Sequence, residues 1–206
     1  GEILGLVGES GCGKSMTAFA LMDLLPAAAR RTEGRIDFAG QPLHALDDAG
    51  MRKLRGKEMS IIFQEPVAAL DPLMTVGDQL AEAIRAHHDL DKAQALGRAK
   101  TLLESVGITD AELRLKQYPF ELSGGMCQRV MIAIALAAEP AVLLADEPTT
   151  ALDVTIQAQI LDLMKALRRE RGTSILLITH DMGVVADMAD RVAVMYAGRI
   201  VESGPV

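Results

Sequence analysis

The residues best suited to chemistry lie near the start of the chain, in a run of the form Gly-x-x-x-x-Gly-Lys-Ser. Glycines in such a run let the backbone bend tightly and turn its N–H groups inward. A lysine at this position reaches β- and γ-phosphates, and the following serine hydroxyl binds Mg²⁺. We therefore expect a nucleoside triphosphate to bind the phosphate loop and its flank, which comprise Gly8, Glu9, Ser10, Gly11, Cys12, Gly13, Lys14, Ser15 and Met16.

The segments around the phosphate loop fit this expectation. Residues 2–7 read as a short buried strand, and residues 16–25 read as an apolar helix that stops at Pro26. A strand, a glycine loop and a helix N-terminus together form an anion cradle. A glycine turn that binds nothing is the alternative, and the flanking elements argue against it. The loop does not read the base, so ATP and GTP both remain open at this point.

A pair of carboxylates forms the second candidate site. Asp146 and Glu147 follow the buried strand of "AVLLADEP", at the end where open α/β sheets bind ligands. Adjacent residues on an extended chain point in opposite directions. Asp146 would then hold the metal, while Glu147 would orient or deprotonate the attacking water. A solvated pair at a strand end is the alternative, and the phosphate loop upstream makes it less favourable.

Composition limits the class of protein. The chain has 206 residues, of which 50% are hydrophobic and 24% are charged, and this suits one large domain or two closely joined lobes. A net charge of −7 gives no basic surface for nucleic acid, so no nucleic-acid partner is expected. Two cysteines form no disulfide framework and indicate a reducing compartment. The longest apolar run, residues 130–138, is far too short to span a membrane.

Strand and helix patterns alternate along the chain. "GRIDFAG", "MSIIFQ", "AVLLADEP", "SILLITHD" and "RVAVMYAGRIV" each read as a strand, and residues 154–172 read as a helix. A helical region extends from about residue 75 to 136, and residues 81–110 are polar enough to form a separate lobe. Buried strands flanked by helices predict an α/β sheet that is covered on both faces.

Three further pieces complete a pattern. Gln64 ends "MSIIFQ", "LSGGMCQR" at residues 122–129 precedes a long apolar helix, and His180 ends "SILLITH". Each is weak alone, because such a glutamine is usually solvated, a serine before a helix is an ordinary N-cap, and a single histidine more often packs than catalyses. In this order and spacing, together with the phosphate loop and the carboxylate pair, they resemble the ATP-binding subunit of an ABC transporter over nearly the whole chain.

The resemblance implies a P-loop NTPase core with a β-subdomain and an inserted α-helical subdomain. Residues 1–206 would form one partial domain, with the core at 1–66 and 137–206 and the helical signature subdomain at 67–136. Gln64 would touch Mg²⁺ and sense the membrane partner. By position, the catalytic residues would be Glu147, His180 and Gln64; the metal ligands would be Ser15, Gln64 and Asp146; and the further nucleotide contacts would be Ser123, Gly124, Gly125, Met126 and Asp153.

The same resemblance implies partners. Two ATPase subunits, alike or different, would meet head to tail, so that the signature (Ser123–Met126) of one closes over ATP on the phosphate loop of the other. Hydrolysis would move transmembrane permease subunits, and a substrate-binding protein would act through them. The subunit would then lie peripherally on the cytoplasmic face of a bacterial inner membrane.

The cargo is suggested by local motifs. "ELSGGMCQRVMIAIAL", "FQEPVAALDPLMTVGDQ" and "MRKLRG" are similar to the branch of importers for di- and oligopeptides, which also contains nickel and glutathione carriers. Met126 in place of the commoner glutamine is normal in that branch, whereas Phe120 in place of an expected histidine has no explanation. An ABC-type ATPase without transport is an alternative, although too few residues separate Gln64 from Ser123 for a repair-type coiled coil. A regulator that binds nucleotide without hydrolysis is another, which Glu147 and His180 count against.

Two expectations concern the chain ends and the cysteines. In the family, an aromatic residue upstream of the phosphate loop stacks on adenine, and seven residues cannot supply it, so we expect a fragment trimmed at both ends. Cys12 and Cys127 both precede or begin helices, where the dipole lowers a thiol pKa. We therefore expect bound ATP to shield Cys12, and Cys12 of one chain to approach Cys127 of its partner in a homodimer.

Overall fold

A six-stranded sheet organises the protein, whose computed structural model describes residues 1–149 and 152–206. The strand order is β4-β5-β6-β1-β7-β8, with neighbours parallel except for the antiparallel pair β7 and β8. Two further strands form a separate hairpin. The strands are β1 (Ile3–Gly8), β2 (Asp37–Phe38), β3 (Gln41–Pro42), β4 (Met59–Ile62), β5 (Val142–Asp146), β6 (Ser174–Ile178), β7 (Arg191–Tyr196) and β8 (Arg199–Pro205).

Helices cover both faces of this sheet. They are α1 (Lys14–Leu21), α2 (Asp48–Leu54), α3 (Pro66–Ala69), α4 (Val76–Arg85), α5 (Lys92–Ser105), α6 (Ala111–Arg114), α7 (Gly124–Ala135), α8 (Val154–Arg171) and α9 (Met182–Met188). None of these described helices is long and apolar enough to cross a bilayer. The predicted α/β class is confirmed.

The apolar core consists of two clusters, one on each face of the sheet. Successive residues of a strand point to opposite faces, and Leu143 and Leu144 on β5 accordingly belong to different clusters. The larger cluster joins α4, α5, α7 and α8, and the smaller one joins α1 and α2. Strands β1, β4, β5 and β6 are largely apolar because both of their faces are buried, whereas β8 at the edge of the sheet is exposed.

The helices α3 to α7 fall almost entirely within residues 67–136 and pack on one another. Helix α7 also contacts β4, so this helical region is attached to the sheet through the helix that begins at the signature. The exact boundaries of the helical subdomain stay a prediction.

Two predicted strands are wrong in length, for one shared reason. "RVAVMYAGRIV" forms β7 and β8 rather than one strand, and "GRIDFAG" contributes only β2. In both segments an Ala-Gly pair (Ala197-Gly198 and Ala39-Gly40) has positive φ at both residues. Two consecutive residues with positive φ form the tight turn that connects the two strands of a β-hairpin. The chain therefore folds back where a continuous strand was expected.

Helix α1 ends at Leu21, four residues before the predicted end. Asp23 adopts a left-handed conformation with φ of 52°, and the Leu24 N–H donates to the Phe19 carbonyl at 2.8 Å. This six-residue closure is a common way for a helix to stop, and it satisfies a carbonyl that the last turn leaves without a partner. Pro26 therefore acts beyond the helix rather than at its last residue.

Candidate active site

The phosphate loop lies between the end of β1 and the start of α1, as predicted. A Cβ at Gly8 would lie 2.2 Å from the Met195 carbonyl oxygen, so only glycine permits this approach to β7. Gly13 caps α1 with φ of 108°, a conformation that a side chain disfavours. The loop therefore turns its backbone toward the N-terminus of α1, where anions bind favourably.

Lys14 is the cation of this loop and is only 6% exposed. Its Nζ donates to the carbonyl oxygens of Gly8 at 2.8 Å and Glu9 at 3.0 Å, and lies 3.8 Å from the Cys12 sulfur. The ammonium group thus bridges the loop from the inside. Its predicted contact with β- and γ-phosphates stays a prediction, and the structure places the charge within the loop that would carry them.

Asp146 ends β5 and is 2% exposed. Burial raises the pKa of its carboxyl group, and the neighbouring Ser15 hydroxyl opposes that rise through a hydrogen bond. Its Oδ1 is buried without a hydrogen-bond partner among the described residues. A buried carboxylate oxygen beside a hydroxyl supplies the hard oxygen ligands that Mg²⁺ prefers, so these residues fit the expected metal. Within residues 1–149 and 152–206, no group of three or more His, Cys, Asp or Glu forms an alternative metal site.

Glu147 follows Asp146 and forms the carboxylate cluster with Gln64 and His180. Gln64 Nε2 donates to Glu147 Oε2 at 3.2 Å, and His180 Nδ1 lies 3.3 Å from Glu147 Oε1. An ionised carboxylate only accepts hydrogen bonds, so the His180 tautomer with a proton on Nδ1 is the one that suits this contact. The three residues predicted to be catalytic therefore meet, because they follow β4, β5 and β6, which are adjacent parallel strands.

The reasoning that separated the two carboxylates was wrong in its geometry. Glu147 is not extended: its φ is 48°, in the left-handed region. Such a conformation costs on the order of 1 kcal/mol for a residue with a side chain. The Glu147 N–H donates to the Ile178 carbonyl at 2.9 Å, which ties this turn to the end of β6. Strained backbone at a strand end is a common property of functional sites.

A cavity of about 550 Å³ adjoins these residues. Ser15, Gln64 and Asp146 all line it, so the three predicted metal ligands share one space. Its lining also includes Phe19, Phe63, Glu65, Ala68 and Ala69. The cavity connects the start of α1 with the carboxyl ends of β4 and β5, where a nucleotide on the phosphate loop would end.

The signature lies apart from this cavity, at the N-terminus of α7. The Ser123 hydroxyl accepts from the Met126 N–H at 3.3 Å and so caps the helix. Gly124 is exposed, and a Cβ there would meet nothing within 4 Å. An uncrowded helix N-terminus is open to an anion that approaches from outside the chain. The contact of the signature with a nucleotide stays a prediction.

Asp153 and Phe120 lie outside the carboxylate cluster. Asp153 caps α8, where its carboxylate accepts from the Ile156 N–H at 3.0 Å, and its predicted role at a nucleotide is untested. Phe120 is 73% exposed and stacks on Tyr118, with ring centroids 5.4 Å apart. Nothing in the structure explains why phenylalanine stands at this position.

The expectation for the two cysteines is wrong for Cys127. Its side chain is 1% exposed, its thiol donates to the Pro119 carbonyl at 3.4 Å, and burial raises its pKa. Burial therefore outweighs the helix dipole, and the thiol has no access to a partner chain. Cys12 belongs to the other apolar cluster, so the two cysteines pack on opposite faces of the sheet.

Sequence reasoning missed Gln128 and Arg129, which are buried on α7. Gln128 Nε2 donates to the Pro148 carbonyl at 2.7 Å, and Arg129 Nη1 donates to the Val106 carbonyl at 2.6 Å. The available signal was a polar pair at the head of the apolar run "VMIAIAL", because long polar side chains are rarely buried without partners.

Comparison with known proteins agrees with this architecture. The family model described as ABC transporter matches residues 1–150. The dipeptide transport ATP-binding protein of Bacillus subtilis is 56% identical over 205 residues, which are 99% of this chain and 61% of that protein. The oligopeptide transport ATP-binding protein of the same organism is 56% identical over 207 residues, which are 100% of this chain and 58% of that protein. The chain thus spans about three fifths of these relatives.

Solved structures match along almost the entire chain. A dimeric bacterial ABC transporter cassette superposes with a TM-score of 0.88 at 30% identity, covering 99% of this chain and 85% of that one. A dimeric post-hydrolysis ATP-binding cassette bound to ADP and Pi gives 0.86 at 29% identity, with the same coverage of both chains. By its sequence and by its fold, the chain belongs to the ABC transporter family.

Proposed function

We propose that this chain binds and hydrolyses ATP with Mg²⁺ and that hydrolysis powers a bacterial importer of di- or oligopeptides. The observation that carries the proposal is the carboxylate cluster, in which Gln64 and His180 contact the two oxygens of Glu147 at 3.2 and 3.3 Å. A carboxylate held from both sides at the end of a nucleotide cavity suits the activation of water better than it suits binding alone.

Each residue has a separate task in this mechanism. The inward N–H groups of the phosphate loop and the Lys14 ammonium hold the β- and γ-phosphates. Ser15 and Asp146 would provide the oxygen ligands for the metal, and Gln64, which lines the same cavity, would join them. When bound, Mg²⁺ would neutralise charge that develops on the phosphate oxygens.

Glu147 would accept the proton of the attacking water. Its hydrogen bonds to Gln64 and His180 fix the direction of the carboxylate. The His180 side chain is 61% exposed, so it is placed to contact the transferred phosphate as well. Oriented groups of this kind act chiefly by positioning in phosphoryl transfer.

The partners follow from the relatives rather than from contacts within this chain. Two relatives carry dipeptide and oligopeptide transport in their names, and the matched cassettes are dimeric. We infer a head-to-tail pair of ATPase subunits, alike or different, on the cytoplasmic face of the inner membrane. The exposed signature of one subunit would complete the nucleotide site of the other, and permease subunits would couple this closure to transport.

Phosphate release from MgATP tests the enzymatic part. The purified protein should release phosphate, and chelation of Mg²⁺ with EDTA should abolish release; no release in the presence of Mg²⁺ would refute hydrolysis.

A second experiment tests the cargo. The ATPase activity of the protein reconstituted with its permease should be stimulated by a peptide-loaded binding protein. Stimulation by nickel or glutathione instead would assign another importer, and failure to co-purify with any multi-span membrane protein would favour an ATPase without transport.

A further inference from the structure

Gln128 has a buried side-chain amide that links α7, the helix that begins at the signature, to the turn at Glu147. It lies on the second turn of α7, 3% exposed, and its Nε2 donates to the Pro148 carbonyl at 2.7 Å. Pro148 directly follows Glu147. This hydrogen bond therefore joins the helix that starts at the signature to the backbone turn that carries Glu147.

The backbone of Glu147 is held on both sides. Before it, the Glu147 N–H donates to the Ile178 carbonyl at 2.9 Å; after it, Gln128 holds the Pro148 carbonyl. A left-handed residue with a side chain persists only where its surroundings fix it. With φ at 48°, the backbone turn from which the Glu147 side chain extends is held by these two hydrogen bonds.

Arg129 makes the Gln128 anchor rigid. Its Nη1 donates to the Val106 carbonyl at 2.6 Å, and its Nη2 donates to Gln159 on α8. A Cβ at Gly107 would lie 2.3 Å from Nη1, so the guanidinium fits closely against the loop after α5. Helix α7 is thereby fixed to both the helical region and α8, and the Gln128 amide has little freedom to follow a moving carbonyl.

We propose that Gln128 is a positioning residue for Glu147: it holds the turn that aims the carboxylate at Gln64 and His180. The proposal rests on the proposed ATPase function. A movement of α7 would reach the turn at Glu147 through this hydrogen bond, so the signature at the start of α7 and the carboxylate of the same chain are mechanically connected. A buried glutamine that merely satisfies a carbonyl would support folding without affecting the chemical step.

The first test removes the donor while keeping the shape. Gln128→Leu should lower kcat by roughly tenfold to a hundredfold, the scale expected when a catalytic group is displaced by about 1 Å. KM for MgATP should change by less than about threefold, because the phosphate loop is untouched. Gln79→Leu is the matched control: Gln79 also bonds backbone, to the Asp71 and Met74 carbonyls, and should leave both constants unchanged.

The second test makes the donor depend on pH. In Gln128→Glu, a protonated carboxyl group can donate to the Pro148 carbonyl and an ionised one cannot. The ratio of its kcat to that of the wild type should therefore fall as pH rises through the pKa of the introduced group, which burial raises. For Gln128→Leu the same ratio should stay flat with pH.

The outcomes separate this proposal from the proposed function. If the wild type releases no phosphate, the ATPase function fails. If the wild type hydrolyses ATP and Gln128→Leu matches it within about twofold, or if the ratio for Gln128→Glu is flat with pH, positioning by Gln128 is refuted. If both variants unfold while Gln79→Leu folds, the role of Gln128 is stability, and the proposal is likewise overturned.

Discussion

The substitution Glu147→Gln separates the chemical role of this side chain from its structural one. The side chain is largely buried and contacts Gln64 and His180 through its two oxygens. Glutamine has nearly the same size and shape, so the cavity and the neighbouring backbone are retained. What changes is the negative charge and one of the two acceptor atoms.

The structural cost follows from those contacts. A carboxamide has one acceptor oxygen and one NH₂ group, whereas Gln64 and His180 both approach as donors. In the variant, one of these two donors would therefore face the NH₂ group, which is also a donor. The loss is about one hydrogen bond, or roughly 0.5–1.5 kcal/mol. A change of His180 tautomer would let Nδ1 accept from the new NH₂ group and would reduce that loss. For a chain of this length, Tm should therefore fall by no more than about 6 °C.

The catalytic cost is much larger. Loss of a positioned general base lowers the rate by on the order of 10²–10⁴. At 1.36 kcal/mol per tenfold, this is about 2.7–5.4 kcal/mol in the activation free energy. ATP affinity should be retained, because Lys14 and Ser15, which we propose hold the phosphates and the metal, act independently of Glu147. The rate effect should thus exceed the stability effect severalfold.

Three measurements on one preparation decide the outcome. Phosphate release at saturating MgATP gives the rate, calorimetry gives the ATP affinity, and thermal unfolding gives Tm. Glu104→Gln, an exposed glutamate on α5, is the matched control and should leave all three unchanged. Turnover of Glu147→Gln at the wild-type rate would show that another group activates the water, and the role assigned to the carboxylate cluster would be wrong.

Three other predictions test separate parts of the structure. Lys14→Ala should weaken ATP binding about tenfold to a hundredfold, the value of one charge-assisted hydrogen bond, and unchanged affinity by calorimetry would contradict its role. Cys12 is 7% exposed and Cys127 1%, so both should alkylate slowly in the folded protein, and MgATP should slow the labelling of Cys12 further, as read by mass spectrometry, while leaving that of Cys127 unchanged. Labelling of Cys12 at the same measurable rate with and without MgATP would place it away from the nucleotide. A hydrogen bond from the Ile3 N–H lowers the pKa of the Asp190 carboxyl group in the folded protein. The ionised Asp190 therefore stabilises the fold above its unfolded pKa, near 4, and this stabilisation is lost as pH falls through the folded pKa. Urea unfolding should therefore show Asp190→Asn less stable than the wild type at pH 7, with the difference shrinking below about pH 4, and a constant difference would exclude this linkage.

The sheet and the residues at its strand ends could be predicted because their cause is local. Apolar runs of five or six residues bounded by glycine or charge form buried strands, and a polar residue directly after such a run lies at the edge of the sheet. Gln64, Glu147 and His180 each follow a run of this kind, so their place at the edge of the sheet could be predicted from position alone. The family pattern then supplied the roles.

What could not be predicted depends on partners that are distant in sequence. The left-handed turn at Glu147 is held by Ile178 and Gln128, and no local propensity names either partner. A place at a helix N-terminus predicts a lowered pKa for the Cys127 thiol, whereas burial raises that pKa. Helix position is visible in a sequence, but the packing around a helix end is not.

The order of the strands explains why the site has its particular form. Because β5 lies between β4 and β6, Glu147 receives donors from both neighbours, although Gln64 and His180 are far from it along the chain. The phosphate loop follows β1, which is two strands from β5. At about 4.8 Å per strand this separates the loop from Glu147 by roughly 10 Å, enough for a terminal phosphate and one water between them. The sheet would thus set the distance between phosphate and base, while Gln128 and Ile178 hold the backbone turn from which Glu147 extends.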